Sequence, residues 1–364
     1  MERPSKSPLK GDFLTPEGTN RSSVFSPSLT GEGWQGGVAS PDEERPWGKK
    51  DSLRIVYMGT PDFAVEALRC LVEGGYNVVG VVTMPDKPIG RHQTELSQSP
   101  VKRYAVSQGL PVLQPERLKD EAFVEELRAL RADLQIVVAF RMLPEVVWQM
   151  PPLGTFNLHA SLLPRYRGAA PINWAIINGD TETGITTFFL QHAIDTGHII
   201  QQERIPITPD DNAETIHDRL MHLGGRLVTE TVDNILAGRV RPISQEEITL
   251  PVADCQRQAP KIFKDTCRID WSRPVKPTYD FIRGLSPYPG AWSEFEIGGK
   301  MQVMKIFASR NVENVDAPLN VGALFVKDGH LYVQQPDGVQ ELLIVQLAGK
   351  KRMPAADFLR GVKL

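Results

Sequence analysis

The sequence predicts an α/β protein: a doubly wound, mostly parallel sheet followed by a small β-barrel. Three observations carry that expectation. Short apolar runs alternate with helical spacing from Leu53 onward, hairpin signals take over near the last quarter of the chain, and the two parts carry opposite charge. A composition of 41% hydrophobic and 23% charged residues is that of a soluble globular chain, and 364 residues suffice for two or three domains. No run of eighteen apolar residues is present to span a bilayer.

Residues 1–50 hold six Pro, seven Gly and seven Ser with no periodic apolar pattern, so they are expected to form a disordered tail. The start has no apolar targeting core, and Glu2, Asp12 and Glu17 argue against a mitochondrial presequence. At Leu53 the pattern changes. Leu53–Met58 reads as a buried strand, Gly59-Thr60-Pro61-Asp62 as a turn, and Phe63, Ala64, Ala67, Leu68 and Leu71 as one face of a helix. Further strands are expected at 77–83, 133–140, 155–158 and 184–191, with a helix over 119–130 and a long one from Ala213 to Leu236 stopped by Gly238. Strands alternating with helices imply a parallel sheet, whose ligands sit at the carboxyl ends of the strands. The final part reads as strands at 291–296, 302–308, 323–326, 330–334 and 340–346, separated by Gly-Gly, Asp-Gly and Pro-Asp-Gly turns. The map is therefore a tail at 1–50, a sheet domain at 51–240, a polar linker at 241–260 and a barrel at 261–364.

Charge sharpens that map. Residues 1–50 are neutral and 256–364 carry sixteen Lys/Arg against eleven Asp/Glu, leaving −8 for 51–255 out of an overall −3. A basic module beside an acidic one suits a polyanion on one and a smaller ligand on the other. Three widely spaced cysteines, Cys70, Cys255 and Cys267, fit a reducing cytosolic setting and no disulfide framework.

The first turn lacks G-x-G-x-x-G, and Pro61 removes an amide that a phosphate would need, so a dinucleotide site is disfavoured. No phosphate-binding G-x-x-x-x-G-K-[ST] occurs. The densest reactive cluster is Asn157 to Gly168. Asn157 and His159 lie two apart, so on an extended chain their side chains leave from one face. An amide donor can steady an oxyanion, and an imidazole can do likewise or move a proton. Asp195-Thr196-Gly197 follows another strand, and an Asp near His159 would orient the imidazole and help take a proton. His192 and His198 flank that turn, but without a thiolate pair or His-x-x-x-His spacing no metal is expected.

Asn157-x-His159-x-Ser161-Leu162-Leu163-Pro164-x-Tyr166-Arg167-Gly168-Ala169-x-Pro171, with Asp195-Thr196-Gly197 downstream and Ser99-Pro100-Val101-Lys102 upstream, resembles the folate-dependent formyltransferases. The similarity runs from about residue 54 to the end, through Ile269-Asp270-Trp271 and Leu285-Ser286-Pro287-Tyr288-Pro289-Gly290-Ala291-Trp292, and is nearest to members acting on initiator methionyl-tRNA. The resemblance implies a Rossmann-like formyltransferase domain, an OB-like barrel, 10-formyltetrahydrofolate as co-substrate, and transfer of its formyl group to the methionine α-amine. It makes Asn157, His159 and Asp195 the catalytic trio and Ser161, Leu162, Leu163 and Pro164 the folate-contacting segment. The apolar stretch 137–144, with Val138 and Phe140, is expected to wall the pterin pocket, an ordinary buried strand being the alternative. For tRNA, Arg91 keeps the family's place in a loop where His92-Gln93-Thr94-Glu95 replaces a more basic run. Lys261, Lys264, Arg268, Lys305, Lys350, Lys351 and Arg352 are candidate phosphate contacts. A cytoplasmic monomer without a membrane partner is expected.

Other readings stand beside this one. Ala170 to Gly184 also resembles formyltransferases of 4-amino sugar nucleotides, the same trio could activate water in a formyltetrahydrofolate hydrolase, and a non-catalytic RNA-binding protein would use the sheet as scaffold. The basic final part and the Leu285–Trp292 stretch favour tRNA.

Overall fold

The computed structural model describes residues 48–89, 95–251, 254, 257–312, 315 and 320–362. β1 (Ile55–Gly59), α1 (Phe63–Glu73) and β2 (Val78–Val82) begin it. An antiparallel pair, β3 (Lys87–Ile89) and β4 (Glu95–Ser97), precedes α2 (Pro100–Ser107) and β5 (Val112–Leu113). Then come α3 (Glu121–Ala129), β6 (Leu134–Val138), α4 (Glu145–Trp148) and β7 (Thr155–His159). β8 (Arg167–Gly168) and α5 (Pro171–Ile177) lead to β9 (Glu182–Phe189), β10 (Ile199–Pro206) and α6 (Ala213–Leu236).

Seven of these strands form one sheet in the order β10-β9-β7-β6-β1-β2-β5. The run from β5 to β7 is parallel, while β9 is antiparallel to both β7 and β10. The chain moves from β1 outward through β2 to β5, then returns to β6 and β7 on the other side. The strand order reverses between β1 and β6, and the carboxyl ends beside such a reversal are where open α/β sheets bind ligands. Sequence explains the layering. Leu-Gln-Ile-Val-Val in β6 is buried throughout, as a strand covered on both faces must be. Each large aliphatic side chain there contributes about 1.5–3 kcal/mol by leaving water.

Helix α1 turns Phe63, Ala64, Ala67, Leu68 and Leu71 inward, the face its spacing predicts, and packs on α6. The start of α6 is a capping box: Asn212 accepts from the amides of Glu214 and Thr215, and the Thr215 hydroxyl accepts from the Asn212 amide. Mid-helix, a Cβ added at Gly224 would lie 2.6 Å from Leu158 Cδ2. A larger residue would crowd Leu158 on β7, the strand that carries Asn157 and His159.

Beyond α6, β11 (Gln258–Ala259) pairs in parallel with β8. α7 (Val275–Gly284) is followed by β12 (Ala291–Ile297), β13 (Lys300–Val312), β14 (Leu324–Lys327), β15 (His330–Gln335), β16 (Gly338–Leu347), β17 (Met353–Pro354) and α8 (Ala355–Gly361). These strands form an antiparallel sheet, β12-β13-β16-β15-β14 with β17 on β16, curled as a half-barrel. Register shifts between Ile306 and Ser309 bend the long β13, and Trp271, Phe295, Met304, Ile306, Leu342 and Phe358 fill the concave side. The two sheets are joined by hydrogen bonds as well as by packing. Buried Arg283 of α7 donates from Nη1 to the carbonyls of Thr208 (3.0 Å) and Asp211 (2.7 Å), and Asn173 donates to the Gly284 carbonyl at 2.7 Å.

Candidate active site

β7 remains extended through His159, so Asn157 and His159 do share a face. The Asn157 carboxamide is half-buried and has no hydrogen-bond partner among the described residues, which leaves its N–H bonds free for a ligand. His159 is buried, at 8% exposure, with its ring edge-on to Phe188 at 6.5 Å. Its Nε2 lies 2.9 Å from the Tyr166 carbonyl oxygen. A carbonyl only accepts, so Nε2 carries the hydrogen and Nδ1 has the open lone pair. Nδ1 faces the Asp195 carboxylate, with Oδ2 at 3.9 Å. That separation is too long for a hydrogen bond but close enough for the carboxylate to stabilise a proton arriving on Nδ1.

Tyr166 and Asp195 are both held in the left-handed region, at φ 60° and 54°. Such geometry in non-glycine residues persists where surroundings over-determine it. The Tyr166 hydroxyl donates to Asp180 Oδ2 at 2.9 Å and accepts from Arg257 Nη1 at 2.8 Å, and burial pushes this phenol's pKa up, so it stays a donor. Its amide donates to the Arg257 carbonyl at 2.7 Å. Asp195 Oδ2 accepts from the Gly168 amide at 2.9 Å. Gly197 explains the rest of the Asp-Thr-Gly motif: an added Cβ would sit 1.6 Å from the Phe189 carbonyl oxygen, so only glycine lets the turn pass β9.

The Ser161–Pro164 segment is fixed by its own hydrogen bonds. Ser161 Oγ donates to the Arg165 carbonyl at 2.7 Å, and the Ser161 carbonyl accepts from Thr186 Oγ1 at 2.7 Å. Gln202 donates to the Leu163 carbonyl at 2.8 Å, and a cis bond joins Leu163 to Pro164. Leu162 and Leu163 are buried, as is Val138, whereas Phe140 is half-buried beneath the Arg141 guanidinium at 5.6 Å. At the switch point itself, Thr60 Oγ1 after β1 and Arg141 Nε after β6 are buried polar atoms without partners among the described residues. Arg141's pKa is lowered by burial. Among the described residues, no group of three or more His, Cys, Asp or Glu is placed to hold a metal ion.

A cavity of about 380 Å³ lies elsewhere, lined by Asp180, Ile207, Lys276, Tyr279, Arg283 and Arg310 among others. Its cations already have carboxylate partners, Lys276 and Arg283 sharing Asp280 and Arg310 meeting Glu341, and it holds none of the trio.

Arg91 lies outside the described residues. Lys261, Lys264, Lys350, Lys351 and Arg352 are exposed and Lys305 is half-exposed. None of the six has a carboxylate within ion-pair reach among the described residues. Aromatic rings lie among them: Lys261 is 5.4 Å from the exposed Phe263 ring, Arg352 is 4.4 Å from Phe307, and Lys305 donates to the Pro289 carbonyl beside Tyr288, which is 82% exposed. Arg268, by contrast, is paired with Glu294 at 2.9 Å.

Comparison with known proteins finds matches to both parts of the chain. The formyl transferase family model matches residues 53–232, and that of the formyl transferase C-terminal domain matches 261–363. This chain belongs to the formyl transferase family. Among curated relatives, the methionyl-tRNA formyltransferase of Bacteroides fragilis is 66% identical, over 87% of this chain and 97% of its own. That of Porphyromonas gingivalis is 50% identical over 87% and 98%. Among solved structures, HypX from Aquifex aeolicus in complex with tetrahydrofolic acid is similar over 85% of this chain at TM-score 0.58 and 19% identity, and this formyl transferase chain spans 48% of HypX. An N-formyltransferase from Helicobacter canadensis, solved with folinic acid and dTDP-3-aminofucose, matches over 83% of this chain and 100% of its own at TM-score 0.58 and 17% identity. At such identities these structures speak for the formyl transferase fold alone.

Sequence reasoning passed over Gln245 and Arg257. Both fall in a polar stretch without local pattern, yet they contact the Asp195 turn and Tyr166 respectively. Only the residue types, an amide and a guanidinium in a glycine-poor stretch, could have drawn notice.

Proposed function

We infer that the protein transfers the formyl group of 10-formyltetrahydrofolate to the α-amino group of methionine on initiator methionyl-tRNA, giving N-formylmethionyl-tRNA for translation initiation. The observation that carries the chemistry is the Asn157 carboxamide, unpartnered among the described residues, on the same strand face as His159, with the open Nδ1 of His159 turned to Asp195. The acceptor is supported by relatives at 65–66% identity that bear the name methionyl-tRNA formyltransferase and match along nearly their whole length.

Bound at the site, 10-formyltetrahydrofolate supplies an electrophilic formyl carbon. Asn157 donates to the oxygen that gains charge as the amine adds. His159 receives the amine proton on Nδ1, and Asp195 stabilises the imidazolium that results; as the adduct collapses, the bond from the formyl carbon to N10 breaks and that proton passes to N10, so that tetrahydrofolate leaves. The imidazolium adds positive charge on the face where Asn157 works. Ser161–Pro164 and Phe140 bound the folate side of the site. The cations Lys261, Lys264, Lys305, Lys350, Lys351 and Arg352, unpaired among the described residues, hold phosphates of the tRNA, with Arg91 reaching it from the loop after β2. On this reading residues 51–240 catalyse, 261–364 bind tRNA, and 1–50 take no part. The protein acts as a cytoplasmic monomer, and among the described residues no helix is long and apolar enough to cross a membrane.

The direct test offers 10-formyltetrahydrofolate with charged initiator tRNA, charged elongator methionine tRNA and a 4-amino sugar nucleotide in parallel. Formylation of initiator tRNA is expected. Modification of the sugar nucleotide instead, or folate consumption with no acceptor, would overturn the assignment.

A further inference from the structure

The Asp195 turn is held from outside its own sheet. Gln245 lies in a 3-10 turn (Gln245–Glu247) on the segment between α6 and β11, and it is only 4% exposed. Its Nε2 donates to the Asp195 carbonyl at 2.9 Å and to the Gly197 carbonyl at 2.8 Å. Its Oε1 accepts from Arg167 Nε at 3.0 Å and Nη2 at 2.6 Å. One side chain therefore bridges the catalytic turn and β8, and β8 supplies the Gly168 amide that binds Asp195 Oδ2. The segment is itself anchored. Ile243 exchanges backbone hydrogen bonds with Ile199 at 2.8 and 2.9 Å, and Ile248 packs on the cluster of Leu163, Phe188 and Ile199.

We propose that Gln245 is a positioning residue for the reaction: its amide donors fix the left-handed Asp195 so that the carboxylate meets His159 Nδ1. The inference rests on the reading in which Asp195 acts on the imidazole. The physical logic is one of direction. The two carbonyls at Asp195 and Gly197 need a donor, and the Arg167 guanidinium needs an acceptor; a primary amide is the side chain that offers both at this size. Three bonds then converge on Asp195 and its neighbours: two from Gln245 and one from Gly168. A carboxylate restrained in this way loses its place when the backbone beneath it shifts, and a displacement of about 1 Å in a reacting group costs about a hundredfold in rate.

Two variants separate the donor from the acceptor role. Gln245→Glu keeps the acceptor for Arg167 but sets an oxygen against two carbonyls, whereas Gln245→Met removes all four bonds at similar volume. If the donors matter, both variants lower kcat by about tenfold to a hundredfold, with Gln245→Glu at least as impaired as Gln245→Met. The KM for 10-formyltetrahydrofolate should stay within about threefold, which also verifies that each variant folds. Wild-type kcat in Gln245→Glu would overturn the proposal, as would a defect confined to Gln245→Met.

A double-mutant cycle asks whether Gln245 acts through Asp195. In an Asp195→Asn background, single-turnover formylation should fall by less than about threefold further when Gln245→Glu is added. A slow Asp195→Asn enzyme in which Gln245→Glu still exerts its full effect would refute the inference alone. Wild-type turnover by Asp195→Asn would instead bring down the reading of Asp195, and the inference with it.

Discussion

At the end of β7, His159 is buried, its Nε2 is committed to the Tyr166 carbonyl, and its partner Asp195 is fixed by Gly168 and Gln245. On the terminal half-barrel, Lys261, Lys264, Lys350, Lys351 and Arg352 stand in solvent with no carboxylate beside them among the described residues. The first region holds few groups in one geometry; the second leaves many charges loosely placed. On the proposed function, the contrast follows from what each region binds. A proton in flight needs donors and acceptors placed to within fractions of an ångström, whereas a phosphate backbone is attracted by summed charge and tolerates movement. Substitutions in the first region should therefore act on kcat, and those in the second on KM and its salt dependence.

The largest effects test the first half of that contrast. Asn157→Ala, His159→Ala and Asp195→Ala should each lower kcat by about two to four orders of magnitude in steady-state formylation, the range for oxyanion and acid/base groups. Near wild-type turnover by His159→Ala would remove the imidazole from the mechanism. Next comes Gly197→Ala, which removes none of the three proposed catalytic side chains but forces the turn that carries Asp195 away from the Phe189 carbonyl. A fall in kcat of about a hundredfold is expected, with tRNA KM little changed. An equal rise in KM would mean that the turn serves binding as much as chemistry.

The half-barrel answers more gently. Charge reversal of Lys350, Lys351 and Arg352 together should raise the KM for charged tRNA about tenfold or more, and reduce the slope of log KM against log salt by roughly 0.7–0.9 for each phosphate left without its cation. Single changes such as Lys264→Ala should move KM by no more than about threefold, because each exposed cation contributes little alone. A single substitution here that abolished binding would show that the face reads tRNA through one specific interaction.

How far the sequence reveals each region follows from the range of the interactions. The period of two that puts Asn157 and His159 on one face, the span of α6 and the hairpin runs of the half-barrel are local patterns and were legible. So was Asp-Thr-Gly as a motif, though not why its glycine is needed, since the Phe189 carbonyl that forbids a Cβ belongs to the preceding strand. Gln245 lies fifty residues from Asp195, and Arg257 ninety-one from Tyr166. Each is one polar residue in a polar stretch until the fold brings it to its partner. The run at 302–308 extends in the structure to the thirteen-residue β13, because pairing with β16 continues past the apolar core.

The most direct test of the division of labour measures kcat and KM for charged initiator tRNA over a range of salt, for wild type, His159→Ala and the Lys350, Lys351 and Arg352 charge-reversal variant. The account predicts that His159→Ala loses kcat while keeping the wild-type salt slope, and that charge reversal keeps kcat within about threefold while KM rises and its slope flattens. Loss of kcat on charge reversal with an unchanged salt slope would contradict it.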